Sequence, residues 1–200
     1  EYQDIFGMIQ NQTERLSHLS EVLLDMTGIQ SVERSDSISL AELTDEVCCD
    51  LASIADQKKV ELIQEEGDCT VTGSYLLLYR AVYNLVENAI KYNHSGGKVT
   101  VKISQTKALP AAHSKPADYA LVEVTDTGIG ISPEYQEKIF APFFRVDKSR
   151  SRAMGGAGLG LALVAEIARQ HGGQVKVLAS SKKGSTIALM LPINSPLIAI

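Results

Sequence analysis

Several familiar classes of protein are excluded by what this 200-residue chain does not contain. Its three cysteines, Cys48 and Cys49 adjacent and Cys69 alone, draw neither a disulfide framework nor a C-x-x-C metal site. A reducing compartment fits that usage. No apolar run approaches the roughly 18 to 20 residues needed to cross a bilayer, and no secretory signal pattern opens the sequence. The expected setting is cytoplasmic, and any membrane anchor would lie in other parts of a parent protein. A formal charge of −5 offers no extended basic field, so neither nucleic acid nor an anionic membrane surface is an expected partner. No Gly-Lys-Ser or Gly-Lys-Thr occurs, which removes the Walker A loop, and no internal repeat or low-complexity tract is evident.

What is present suffices for one good core with an appendage, and is tight for two full domains. Ile5, Ile9, Gln12, Leu16, Leu19, Leu23 and Met26 are spaced 4, 3, 4, 3, 4 and 3, the a/d repeat of a bundle seam. Such a helix requires a partner along its stripe. Gly28 and SVERSDS read as the break before a second unit. Ser39 with Glu42 resembles a capping box opening a helix to about Lys58, with Leu40, Leu43, Val47, Leu51 and Ile54 facing inward.

Strands are expected at 60–65 and around 69–72, then a helix from Ser74 to about Tyr92. Val99–Ile103 and Leu121–Thr125 are strands by β-branched content and are expected to pair. The intervening QTKALPAAHSKPAD, with two prolines, reads as a long exposed loop. Ser132 and Pro133 start a short helix, Gly158 to His171 forms another that Gly172 stops, and 174–180 with 184–191 form a terminal hairpin. That order of elements predicts an α+β two-layer sandwich.

Four segments carry chemistry. On the helix after Ser74, Asn84, Glu87, Asn88 and Lys91 fall at i, i+3, i+4 and i+7 and line one face, with Leu78, Val82, Leu85 and Ala89 on another. An amide oxygen is a hard ligand of the kind Mg²⁺ accepts, and Lys91 would reach phosphates; the plain alternative is a solvated face. Asp126, Gly128 and Gly130 follow the strand LVEVT, where a carboxylate suits an exocyclic amine such as that of adenine and glycines admit a flat ring. The alternative there is a glycine turn capped by Asp.

In GGAGLGLAL glycines lead directly into a helix, whose freed N–H groups suit anions. The preceding RVDKSRSRAM is no buried strand, so the dinucleotide fingerprint does not apply. That stretch reads as a flap whose Lys148, Arg150 and Arg152 would approach a triphosphate or simply be solvated. Phe140, Phe143 and Phe144 form a small hydrophobic cluster beside Arg145, whose guanidinium is suited to phosphate, and Gly184, Ser185 and Thr186 lie between the last two strands.

The runs NLVENAIKY, DTGIG, FAPFFRVDKSR, GGAGLGLA and GST resemble, in order and spacing over residues 40–192, the N, G1, F, G2 and G3 boxes of sensor histidine kinases. The resemblance implies the Bergerat fold: a mixed sheet covered on one face by three helices, with ATP between the N-box helix and the flap. Residue by residue it implies Asn88 as the Mg²⁺ ligand with Asn84 supporting it, Lys91 and Arg145 on the phosphates, and Tyr92 against the adenine. It implies Asp126 reading the adenine amine and Gly128 and Gly130 shaping that pocket. Gly156, Gly158 and Gly160, with Leu159 and Leu161, admit the phosphates, and Thr186 borders the base. Ala157 stands where Thr is frequent in the family, which removes a hydroxyl and keeps the backbone role.

By the same resemblance, residues 1–35 are part of the second helix of a dimerisation and phosphotransfer domain, 36–194 the catalytic domain and 195–200 a tail. The family's phosphoacceptor histidine precedes Glu or Asp and soon Pro; His18, His94, His113 and His171 precede Leu, Ser, Ser and Gly instead. Expected partners are ATP and ADP, a dimerisation domain bearing that histidine, a response regulator, and a second copy in the full-length protein. A clamp ATPase of the same fold carries a Glu base four residues before the Mg²⁺ ligand, where this chain has Asn84. A non-enzymatic regulator working through the arm would be expected to have decayed boxes, and the N, G1 and G2 boxes are intact.

Overall fold

The computed structural model describes residues 32–108, 117–146 and 158–193. The predicted seam helix with His18, the loop residue His113, the charged residues Lys148, Arg150 and Arg152, the pair Gly156 and Ala157, and the tail 195–200 lie outside them.

Strand β1, Asp36–Ser39, leads directly into helix α1, Leu40–Lys58. Ser39 is its N-cap: the Oγ accepts the Glu42 N–H at 3.2 Å and donates to Asp68, which also takes the Ala41 N–H. A strand over 36–39 was not expected within a polar break; it exists because β3, Thr70–Gly73, pairs with it antiparallel, Ile38 opposite Val71, and both side chains are buried. Local propensity does not reveal a strand whose partner lies some thirty residues away. Helix α1 ends at Lys59, left-handed at φ 57°, whose N–H reaches the carbonyls of Ala55 and Asp56.

Strand β2, Glu61–Gln64, pairs parallel with β4, Lys98–Ala108. β4 continues antiparallel into β5, Ala117–Asp126, through ten registered pairs from Val99–Asp126 to Ala108–Ala117. The segment expected to be one long loop is therefore strand at both ends. Gln105 pairs with Ala120 and Lys107 with Asp118 because the hairpin ladder continues past the β-branched cores of its strands. After two 3₁₀ turns, Pro133–Tyr135 and Lys138–Phe140, come helix α3, Gly160–Gln170, and strands β6, Gln174–Ser181, and β7, Gly184–Pro192. The sheet order is β2-β4-β5-β7-β6, with only the β2–β4 pair parallel.

Helix α2, Tyr75–Lys91, lies centrally and buries Leu77, Leu78, Ala81, Val82, Leu85, Val86, Ala89 and Ile90. That stripe, two apolar residues per turn, is wide enough to meet α1, α3 and the sheet at once. Each large aliphatic side chain buried there contributes about 1.5–3 kcal/mol. On β4, Val99, Val101 and Ile103 are buried while Thr100, Lys102 and Ser104 are not, so the helices cover one face of the sheet. Among the described residues three α-helices and this mixed sheet form the two-layer arrangement expected.

Helices α2 and α3 run antiparallel, since Ser74 meets His171 at one end and Asn84 meets Gly160 at the other. The second of these ends builds the site.

Candidate functional site

Asn84 and Asn88 sit one turn apart on α2. Asn84 Nδ2 donates to the Arg80 carbonyl at 2.8 Å, and Asn88 Nδ2 to the Asn84 carbonyl at 2.7 Å. With their nitrogens returned to the helix, the amide oxygens are the ends directed away from it. A Cβ on Gly160 would stand 2.5 Å from Asn84 Oδ1 and 3.6 Å from Asn88 Nδ2. The missing side chain at Gly160 is what lets the first turn of α3 approach the amides, and no side chain caps that turn. Amide side chains and an uncapped helix start thus lie side by side, an arrangement suited to a cation together with an anionic oxygen group.

The α3 start is displaced from the sequence expectation. Gly158 has φ +73° and cannot be helical, so the helix begins at Gly160 with Leu159 as its N-cap. Leu159 is buried and Leu161 packs against the core, which leaves their backbones, not their side chains, for any ligand. Gly158 instead joins the phenylalanine segment: its carbonyl accepts the Phe143 N–H at 3.0 Å, and a Cβ would meet the Phe144 carbonyl at 2.8 Å and Arg145 Cγ at 3.1 Å. Phe143 holds φ +63°, and Phe144 packs against Tyr135 with the rings tilted by 48° and 5.8 Å between centroids.

Arg145 comes close enough to act electrostatically on both Lys91 and Tyr92. Burial pushes the Lys91 ammonium below its ordinary pKa; Glu87 opposes this and Arg145 adds to it. Its Nζ lies 5.9 Å from the Tyr92 ring centroid. The Lys58 ammonium donates to the Lys91 carbonyl at the end of α2. Positive charge is concentrated where α2 ends, at a cost that a bound anion would offset.

The third wall comes from the end of β5. Asp126 Oδ1 accepts the Gly128 N–H at 2.7 Å, and Oδ2 accepts the Ser185 hydroxyl at 2.6 Å. Gly128 fits because a Cβ there would lie 2.4 Å from the Tyr92 carbonyl, which also accepts the Ile129 N–H. Gly130, at φ +69°, passes so close to the β6–β7 turn that a Cβ would overlap the Ser181 carbonyl at 1.7 Å. Tyr92 and the Asp126–Gly130 loop are therefore one packed unit.

Thr186 lies on β7 next to the residue that pairs with Asp126. It pairs with Thr125, their hydroxyls 3.0 Å apart, whereas the residue touching Asp126 is its neighbour Ser185. Asp126, Ser185 and Thr186 all line a cavity of about 270 Å³ reaching the β6–β7 turn. Ser185 stands in the GST run without a role of its own, because successive residues of a strand face opposite ways and which of two adjacent hydroxyls meets Asp126 depends on register. Asn93 was missed. Buried after Tyr92, it accepts the Thr127 hydroxyl through Oδ1 and donates to the Lys98 carbonyl, bracing the Asp126 loop against α2.

Among the described residues, no cluster of His, Cys, Asp or Glu could hold a metal ion, and no helix is long and apolar enough to cross a membrane. The family described as Histidine kinase-, DNA gyrase B-, and HSP90-like ATPase matches residues 73–195. The sensor histidine kinase RppB of Synechocystis sp. is 33% identical over 192 residues, covering 94% of this chain and 40% of that protein. The sensor-like histidine kinase SenX3 of Mycolicibacterium smegmatis is 33% identical over 185 residues, covering 90% and 46%. The chain thus spans less than half the length of these curated relatives. The solved structure of the mycobacterial sensor histidine kinase MprB superposes with a TM-score of 0.62 at 29% identity, over 79% of this chain and 97% of that one. With the two asparagines set against the start of α3 and Asp126 held at the end of β5, the chain belongs to the histidine kinase-, DNA gyrase B- and HSP90-like ATPase family, as an ATP-binding catalytic domain of the sensor histidine kinase kind.

Proposed function

We propose that the chain holds Mg-ATP between α2 and α3 and presents the γ-phosphate to a histidine carried elsewhere in a parent kinase. The phosphoryl group then passes to an aspartate of a response regulator. In this reading residues 1–35 belong to a dimerisation helix that pairs with a second copy, and 36–194 are the catalytic unit. The observation that carries it is the approach of Asn84 to Gly160 across the α2–α3 seam. Asp126, fixed by Gly128 and Ser185, takes the adenine amine, with Tyr92 beside it. Lys91 and Arg145 meet the phosphates, together with the backbone from Gly158 into α3.

The amide oxygens of Asn88 and Asn84 suit Mg²⁺, which when bound would supply charge neutralisation to the phosphates. The external imidazole attacks the γ-phosphorus in line, a nitrogen–phosphorus bond forms, the bond to the β-phosphate oxygen breaks, and ADP remains. Lys91 and Arg145 stabilise the charge that moves onto the departing oxygen. Position 84 carries an amide, which cannot serve as base for water, so transfer is favoured over hydrolysis.

Calorimetric titration tests the site. Asn88→Ala and Asp126→Asn should each abolish detectable Mg-ATP binding while unfolding stays cooperative; near wild-type affinity in both would refute the assignment. A dimerisation domain bearing the acceptor histidine, added in trans, should acquire acid-labile phosphate from ATP, and no transfer would refute the kinase reading.

A further inference from the structure

His171, one residue past the end of α3, is 8% exposed and occupied by two partners from different helices. Its Nε2 lies 3.1 Å from the Ser74 N–H, and its Nδ1 lies 2.8 Å from the Ile167 carbonyl. An N–H can only donate and a carbonyl can only accept. The ring must therefore be neutral, with its proton on Nδ1 and its lone pair on Nε2. The backbone of β3 closes over it: a Cβ on Gly73 would stand 2.6 Å from His171 Cδ2 and 2.8 Å from Nε2. Gly73, Ser74 and Ile167 carry no charge, and the charged group that acts on the ring is Arg34, from the segment before β1.

The contact sits at the opposite end of the helix pair that forms the site. From Ser74 to Asn84 is 84 − 74 = 10 residues, and from Gly160 to His171 is 171 − 160 = 11 residues. At about 1.5 Å per residue the two spans are both roughly 15 Å, so the seam has a hydrogen bond at one end and a close approach at the other. Asn84 touches Gly160 at the nucleotide end, and Ser74 touches His171 at the far end. Ser74 makes no side-chain cap on α2; the Tyr75 N–H goes to Asp36 Oδ2 at 3.2 Å, and the Ser74 N–H bond to His171 ties the start of α2 to α3.

Resting on the nucleotide site proposed above, we propose that His171 is a positioning residue for nucleotide binding: as a neutral Nδ1–H imidazole it fixes α2 against α3, and a second proton at Nε2 would set N–H against N–H and loosen the grip of Asn84, Asn88 and the α3 turn on the phosphates. Burial, and then Arg34, push the ring's pKa below the ordinary value, while the Ile167 carbonyl opposes them. The unfolded ring keeps a pKa of about 6.5, so the contribution is complete above that pH and is lost as pH falls through the lower folded value.

The test compares the 200-residue chain with His171→Gln and His171→Ala, titrating Mg-ADP between about pH 4.5 and 7.5 so that the range extends well below the ordinary imidazole value. Gln keeps an acceptor near the Nε2 position and cannot be protonated. The unsubstituted chain should lose at least about fivefold more affinity across that range than His171→Gln does, and His171→Ala should bind at least about tenfold more weakly at the upper end. Coincident pH profiles for the unsubstituted and Gln chains, or unchanged affinity in His171→Ala, would overturn the proposal. Nitrogen NMR of the unsubstituted chain gives an independent reading, since the Nε2–H tautomer would overturn it whether or not the variants fold. If the unsubstituted chain binds no nucleotide at any pH, the nucleotide site itself is refuted.

Discussion

Ser185 donates its hydroxyl to Asp126 at 2.6 Å, while the adjacent Thr186 spends its own on Thr125. The carboxylate proposed to read the base is thus oriented by two donors, the Gly128 N–H and Ser185. Removing one costs about 1 kcal/mol of orientation, or roughly fivefold in affinity. Ser185→Ala should weaken ATP binding by that amount, and Thr186→Val should leave it within about twofold. Paired calorimetric titrations of the two variants decide between the neighbouring hydroxyls.

Gly160→Ala should eliminate nucleotide binding without unfolding the chain. The new methyl would fall 2.5 Å from Asn84 Oδ1, at the end of a side chain, so the amide is displaced and the core is spared. Gly96→Ala is the control: at φ +80° with nothing within 4 Å, it should cost only the left-handed strain of about 1 kcal/mol, with affinity unchanged. Melting curves and fluorescent-nucleotide titration separate the two effects.

Lys91→Met should stabilise the nucleotide-free chain and weaken ATP binding at least about tenfold. Burial depresses the Lys91 pKa, aided by Arg145, so the folded state holds its proton less tightly than the unfolded state. The penalty applies at neutral pH and disappears as pH rises through the lowered value toward 10.5. The melting temperature without nucleotide should therefore rise in the variant at pH 7. The gap from the unsubstituted chain should shrink under alkaline conditions.

Lys59→Gly should raise stability by about 0.5–1 kcal/mol, read as a higher urea midpoint at unchanged slope. Lys59 is the left-handed residue that ends α1, and its N–H bonds to Ala55 and Asp56 do not involve its side chain. Glycine takes that conformation without the Cβ penalty.

Much of the helical framework was legible in the sequence. Ser39 with Glu42 marked the start of α1, and Leu78, Val82, Leu85 and Ala89 marked the buried face of α2, because capping and 3.6-residue periodicity are local properties. Strand β1 and the outer half of the β4–β5 hairpin were not legible, since both depend on a partner strand. The helix boundary at Gly160 instead of Gly158 depends on one backbone angle that glycine leaves open.

The site divides along the same line. Residue type and spacing by themselves determined that Asn84 and Asn88 share a helix face with Lys91, that Asp126 ends a strand before two glycines, and that glycines open α3. Short-range geometry requires no more than the chain's own periodicity for this. Tertiary structure alone decided that Asn84 meets Gly160, that Ser185 and not Thr186 holds Asp126, and that His171 joins the far ends of α2 and α3. Those are relations between segments up to about a hundred residues apart, set by strand register and by how closely two helices pack.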